Sequence, residues 1–254
     1  MENEKQYEER NDDGKKEKGK ENKEKIKELT YKTLKEDKNN QINLIINKEI
    51  IYNNGDKYIG DIKNGLKHGK GIIYYNENDN EQRLKYEGNW ENDKRIGKGQ
   101  LYYKNGDSYI GNFKNDLFDG KGIFYYNDGA IFEGDWKKDK KEGKGIFYYN
   151  DGAIYDGDWK NDIREGKGIY YYNNGGKYDG DWKNDLREGK GIAYYNDGDI
   201  YDGDWKNDLG EGKGIYYYND GAKYKGDWKN DLREGKEYFI LGMVIYMKEI
   251  GKMM

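Results

Sequence analysis

All six tryptophans of this 254-residue chain stand in one slot of a repeating unit. That regularity constrains the fold more than any other feature of the sequence. The glycine of a Tyr-x-Gly motif, written once as Phe-x-Gly, falls at Gly60, Gly88, Gly111, Gly134, Gly157, Gly180, Gly203 and Gly226, at one interval of 28 residues and then six of 23. Two residues after each glycine comes a large apolar side chain: Ile62, Trp90, Phe113, Trp136, Trp159, Trp182, Trp205 and Trp228. Nine residues after each comes a Gly-Lys dipeptide, seven times completed as Gly-Lys-Gly. A fixed period of this length marks an array of small units that are stable only when stacked.

The unit around Tyr155 shows what is stacked. Tyr155-Asp-Gly157-Asp-Trp159 alternates aromatic or glycine with polar residues, the period of a β-strand. Gly166-Lys-Gly168-Ile-Tyr170-Tyr-Tyr172 reads as a second strand, with a six-residue polar link, Lys160 to Glu165, between the two. The next unit follows through Asn174-Gly175 or, elsewhere, Asp-Gly, dipeptides suited to a two-residue type I′ turn. Alternation puts Tyr155, Gly157 and Trp159 on one face and assigns Trp90, Trp136, Trp159, Trp182, Trp205 and Trp228 to the structural core. Recurrent glycine in a strand implies that an aromatic ring lies against the backbone there. The expected fold class is all-β: an elongated single-layer antiparallel meander of hairpins, a rod or twisted ribbon roughly 75 Å long at one strand per ~4.8 Å. The five extra residues of the 28-residue interval fall within NENDNEQR, at a hairpin tip, where added loop length costs little.

Composition agrees with a thin, aromatic-rich architecture. Charged residues make up 38% of the chain and hydrophobic ones 33%, with 28 tyrosines and 37 glycines. Three segments are expected. Residues 1–48 form a charged N-terminal segment, disordered for want of anything to bury, with a short amphipathic helix around Ile26, Leu29 and Leu34 as the alternative. Residues 49–236 form the array of about eight repeats, and residues 237–254 form a C-terminal tail. The tail is legible as a ninth repeat in a shifted frame. One nucleotide inserted before the codon of Glu237, with permitted synonymous codons, yields GIFYFRDGDIYEGDWKND, in register with the array. The other reading of the tail is an apolar cap on the last strand.

The pattern Tyr-x-Gly-x-Trp, six residues, Gly-Lys-Gly-x-x-x-Tyr-x-Asp-Gly resembles the MORN (membrane occupation and recognition nexus) repeat over residues 49–236. Ile62 and Phe113 for Trp, and Phe132 for Tyr, are the departures. Bacterial choline-binding repeats also combine Trp, Tyr-Tyr and Asp-Gly, but with another period and another Trp spacing. The MORN resemblance implies a scaffold at the cytoskeleton or the cell cortex. It also implies two alternatives: a phosphoinositide-binding module, or the regulatory part of a phosphatidylinositol phosphate kinase or similar enzyme, none of whose catalytic segments is present.

The residues themselves argue against catalysis. The chain has no cysteine, one histidine (His68), one serine (Ser108) and two threonines. His68 reads as an exposed loop residue in a different repeat from Ser108, so the two cannot form a triad. Gly-Lys-Gly lacks the rest of a phosphate-binding loop. The acidic run Asp197 to Asp204 lacks the terminal glutamate of a calcium loop. No catalytic, cofactor-binding or metal-binding residue is expected.

Binding is the remaining route to function. Opposite the aromatic face, the pairs Ile123 and Tyr125, Ile146 and Tyr148, Ile169 and Tyr171, Ile192 and Tyr194, and Ile215 and Tyr217 should form a continuous apolar stripe edged by lysines. Such a stripe is a candidate interaction face. Its expected partners are proteins, a second copy of the chain being the simplest. Phospholipid headgroups come second, since the repeat Gly157 to Asp179 balances Lys160, Arg164, Lys167 and Lys177 against Asp158, Asp162, Glu165 and Asp179 and so offers no basic patch. A net charge of −4 implies no nucleic-acid partner. With no signal sequence and no apolar run of about 20 residues, the expected location is cytoplasmic, in association with the cytoskeleton or a membrane.

Overall fold

In the computed structural model, residues 44–241 and 244–249 are described, with side chains through Glu234. The N-terminal segment before Leu44, including the helix considered around Ile26, lies outside the described residues, as do the last five residues of the tail. The described chain forms eighteen strands, from Leu44–Ile51 to Val244–Glu249, and no helix. Each strand pairs antiparallel with the next in sequence, so the molecule is one open sheet in a meander. The first strand begins upstream of the periodic segment, and the tail adds the final hairpin, Leu232–Leu241 with Val244–Glu249.

The two kinds of turn differ from the sequence expectation. The six-residue link does not exist as a link. Strand Ile154–Lys160 meets strand Ile163–Tyr171 through only Asn161 and Asp162, at φ 50° and 73°. Asn and Asp tolerate positive φ because their short polar side chains can hydrogen-bond locally, so this Asn-Asp pair makes the tight two-residue turn. Lys160 ends the first strand, and Ile163, Arg164 and Glu165 enter the second, where a bulge absorbs them. Gly157 faces Gly168, yet Trp159 faces Arg164, and Gly166 sits within the bulge at φ 89°. Between repeats, Asn173-Asn174-Gly175 forms a three-residue loop. Only its glycine takes positive φ, and Tyr172 N donates to Gly176 O at 2.9 Å. This is a type I turn with a glycine bulge, the other common hairpin solution.

Register then aligns one glycine from each of fifteen successive strands, from Gly60 facing Gly71 to Gly214 facing Gly226. The tyrosine of each Tyr-x-Gly motif lies along this line of missing side chains. Tyr155 covers Gly157 and Gly168, and its hydroxyl donates to Asp158 O at 3.1 Å. Tyr178 and Tyr201 repeat the bond to Asp181 O and Asp204 O, both at 3.0 Å. Five of the six indoles reach back one repeat: Trp159, Trp182 and Trp205 donate through Nε1 to Gly145 O, Gly168 O and Gly191 O, all at 3.0 Å, and Trp90 and Trp136 donate to Gly71 O and Gly122 O at 3.2 Å.

Tyr155 stands edge-on to its own Trp159 at 5.2 Å and to the following Trp182 at 5.3 Å. Such pairs contribute about 1 kcal/mol beyond area burial. All six tryptophans are buried, the most accessible being Trp228 at 8%. Because Tyr155, Tyr178 and Tyr201 each touch the indoles of two repeats, the core is a chain of nearest-neighbour contacts rather than a globular interior.

The turn aspartates add a second ladder between repeats. Asp185 Oδ1 accepts the backbone N–H of Arg164 at 2.9 Å and its Nε at 3.1 Å, while Asp185 O accepts the guanidinium NH2 at 2.7 Å. Arg187 with Asp208 and Arg95 with Asp116 repeat the arrangement. The inserted tip is likewise ordered: Arg83 holds the buried Asp79 through both guanidinium and backbone, and Lys104 Nζ caps Asn76 O and Glu77 O.

Candidate functional site

The face opposite the aromatic core is organised in rows running across the strands. Tyr171 faces Lys177, Ile169 faces Asp179 and Lys167 faces Asp181. The isoleucines expected to form one stripe are therefore separated by acids. Their row reads Ile146, Asp156, Ile169, Asp179, Ile192, Asp202, Ile215, and Ile123 is separated from Ile146 by Glu133. The tyrosines form a neighbouring row with Ile131, Ile154, Lys177 and Ile200 between them. Tyr125, Tyr148, Tyr171 and Tyr217 are exposed, while Tyr194 and the five isoleucines are half-buried.

The candidate interaction face is thus two rows: the isoleucines alternate with acids, whereas the tyrosines alternate with Ile131, Ile154, Lys177 and Ile200. Every second strand brings in the middle residue of its own Tyr-x-Gly, and in most repeats that residue is acidic.

The third row is an ion-pair ladder in the C-terminal half. Lys121, Lys144, Lys167, Lys190 and Lys213 bridge Asp135, Asp158, Asp181, Asp204 and Asp227, with Lys144 to Asp158 at 2.7 Å. Partial burial alone would raise the Asp181 carboxyl. The hydrogen bonds from Lys167 and from the Lys190 backbone outweigh it and hold the group below its ordinary value. The lysines are about 70% exposed, so each pair adds little stability, under about 1 kcal/mol. The ladder's main effect is to neutralise this edge.

The N-terminal half is built differently. Ile59 faces Ile72 and Ile110 faces Ile123 without an intervening acid. With Ile46 they line a trough of about 1060 Å3 across the outer face. The ladder slots opposite Lys70 and Lys98 hold Asn89 and Asn112 instead of aspartate. Asn89 Nδ2 and Asn112 Nδ2 donate instead to Lys98 O and Lys121 O. Among the described residues, Lys70 and Lys98 make no ion pair, whereas Glu87, also in the trough, is bridged by Lys85 at 2.8 Å. Asp61, also in the trough, makes no ion pair among the described residues and accepts the backbone N–H groups of Asn47 and Lys70 at 3.1 and 3.4 Å, so Lys70 and Lys98 leave one positive charge in excess. Of the trough's isoleucines the sequence singled out Ile123 alone, although one signal was present for the rest: the slot between Gly and Trp is Asn in the second and third repeats and Asp in the others.

His68 lies half-buried in strand Leu66–Tyr74 and not in an exposed loop, because the link slot belongs to the bulged second strand. Ser108 opens strand Ser108–Lys114, with two strands between it and that of His68. Among the described residues no group of three or more His, Asp or Glu could hold a metal ion. No helix there is long and apolar enough to cross a membrane.

The family model described as "MORN repeat" matches residues 58–79, 86–108, 109–131, 132–154, 155–177, 178–200, 201–223 and 224–236. No curated protein matches the chain. Among solved structures, the SAS-4 (dCPAP) TCP domain of Drosophila melanogaster, in complex with a proline-rich motif of Ana2, is similar over 61% of this chain and 85% of its own, at 18% identity and a TM-score of 0.40. The wild-type TCP10 domain of Danio rerio CPAP is similar over 87% of this chain and 99% of its own, at 14% identity and a TM-score of 0.37.

Proposed function

The chain belongs to the MORN repeat family, and on that premise we propose that it is a non-catalytic scaffold whose outer face docks a protein partner at the cytoskeleton or cell cortex. One observation supports this reading above the others. The trough over Ile46, Ile59, Ile72, Ile110 and Ile123 is aliphatic, and its two lysines outside any described ion pair, Lys70 and Lys98, outnumber its one unbridged carboxylate, Asp61. Apolar surface with an uncompensated charge at its edge fits a segment offering aliphatic and acidic side chains together. Burial of the former supplies affinity, and the latter supply register and rate. The C-terminal half, neutralised by its own ladder, contributes length and stiffness.

The test is fluorescence anisotropy with a labelled peptide of alternating Glu and Leu and a matched peptide of Lys and Leu. The Glu-Leu peptide should bind, and Lys70→Glu with Lys98→Glu should weaken it at least tenfold. Lys167→Glu, in the neutral half, should leave binding within about twofold. Equal binding of the two peptides, or indifference to the Lys70 and Lys98 changes, overturns the reading. Light scattering across a concentration series separates self-association through this face from docking of a different protein. Flotation with phosphatidylcholine vesicles, with and without a phosphoinositide, separates the lipid alternative.

A further inference from the structure

On the aromatic face one slot is filled in every repeat but one. The second residue after the turn aspartate, or after Gly65 in the first repeat, is Lys67, Arg95, Phe118, Lys141, Arg164, Arg187, Gly210 and Arg233 through the eight repeats. From Lys67 to Arg187 these side chains cover the large ring of the following repeat. The Arg164 guanidinium lies 4.4 Å from the Trp182 ring centroid and that of Arg187 4.2 Å from Trp205. The Lys141 ammonium lies 5.0 Å from Trp159. Phe118 does the same with an aromatic ring, edge-on to Trp136 at 5.4 Å.

Gly210 supplies nothing. In its place is a cavity of about 250 Å3 walled by Tyr201, Tyr216 and Trp228, with Asp231 at one side and the 41% exposed Tyr195 near its mouth.

The surroundings retain the features that hold a cation elsewhere. Asp231 Oδ1 accepts Gly210 N at 2.6 Å, the backbone half of the Arg164–Asp185 arrangement, but makes no ion pair among the described residues. Trp228 stands closer to the preceding tyrosine than its sister indole does. Its ring is 4.8 Å from Tyr201 at 71°, against 5.3 Å and 82° for Tyr155 with Trp182. Its buried indole N–H finds no acceptor, whereas that of Trp205 donates to Gly191 O.

We propose that this vacancy binds a guanidinium, the arginine side chain of a partner protein, in the place its sister repeats fill with their own arginine. A planar guanidinium can stack on the indole while donating to the carboxylate. Arg187 also borders the cavity, but its charge does not bar the site. Arg164 and Arg187 already stand one repeat apart, each on its own aspartate, and slots 187 and 210 stand in the same relation.

The experiment is calorimetric titration of the full chain with N-ethylguanidinium chloride, with N-ethylurea as the neutral isostere. One saturable site is expected for the cation, with the urea at least tenfold weaker. Asp231→Asn, which keeps shape and the backbone acceptor, should weaken binding about tenfold. Gly210→Arg should abolish it and raise the melting temperature, although a β-carbon there meets Tyr201 and Asp231 Oδ1 at 3.3 Å. Arg187→Gly should open a second site of the same kind. Absence of saturable binding, undiminished binding in Asp231→Asn, or equal binding of the urea overturns the proposal. An N-acetylated Gly-Arg-Gly peptide should bind at least as tightly as the free cation, and failure to do so overturns the assignment to a protein side chain. None of these readouts involves the outer face.

Discussion

The ring of Tyr155 packs so closely on Gly168 that a β-carbon on that glycine would stand 2.6 Å from two of the ring carbons. Contact this close leaves no room for any other residue at the glycine, and neither the ring nor the paired Gly157 backbone can retreat within a regular sheet. Gly168→Ala should therefore cost about 2 kcal/mol, the usual scale of overpacking. Gly152→Ala makes the comparison: it meets nothing within 4 Å but sits at φ 91°, and should cost about 1 kcal/mol through backbone strain alone. Urea denaturation of the two variants measures both, and equal costs would refute the packing account.

Removing only the hydroxyl probes the bond from Tyr155 to Asp158 O. Phe132 already occupies the equivalent position in its own repeat, buried between Trp136 and Trp159. Tyr155→Phe should accordingly keep its packing and lose about 1 kcal/mol, the net value of one hydrogen bond. A loss as large as that of Gly168→Ala would mean the hydroxyl, not the ring, dominates.

The ladder between turns is open to the same kind of test. Asp185→Ala deprives Arg164 of an acceptor for its N–H and Nε and places alanine at φ 66°, for an expected cost of about 3 kcal/mol. Asp185→Asn keeps an oxygen acceptor and tolerates the backbone, and should cost less than about 1 kcal/mol. Amide hydrogen exchange at Arg164 should accelerate in the alanine variant and stay slow in the asparagine one.

Alkali should dismantle the array through its phenols. Burial raises the pKa of the core tyrosines above the ordinary 10.0, with Tyr103 and Tyr126 pushed up to about 12. A phenol with a raised folded value holds its proton more tightly in the fold. Its contribution is intact below pH 10.0 and disappears as pH climbs toward and through the folded value. Circular dichroism should therefore be unchanged up to about pH 10 and fall steeply toward pH 12, with tyrosinate absorbance rising in the same transition. Tyrosine ionisation at pH 10 without loss of structure would contradict the burial.

Much of this architecture is legible in the order of residues alone. Trp159, Gly157 and Tyr155 share a face because residues two apart in a strand must, and a 23-residue interval repeated six times admits little but an array. Local turn chemistry was harder to place. Asn-Gly and Asn-Asp both suit positive φ, and which of them closes the two-residue turn depends on a bulge at Gly166 that the alternation of one strand does not reveal.

Periodicity along the chain is a property of the backbone's own geometry, so strands, aromatic slots and glycine positions followed from residue order alone. The rows of the outer face, the unpaired Lys70 and Lys98, the Arg164–Asp185 ladder and the gap at Gly210 were settled only by folding. Each joins side chains on different strands, a turn or a whole repeat apart in sequence. Which charge meets which is fixed by register between strands, and that register is set by packing of the rings rather than by any single segment.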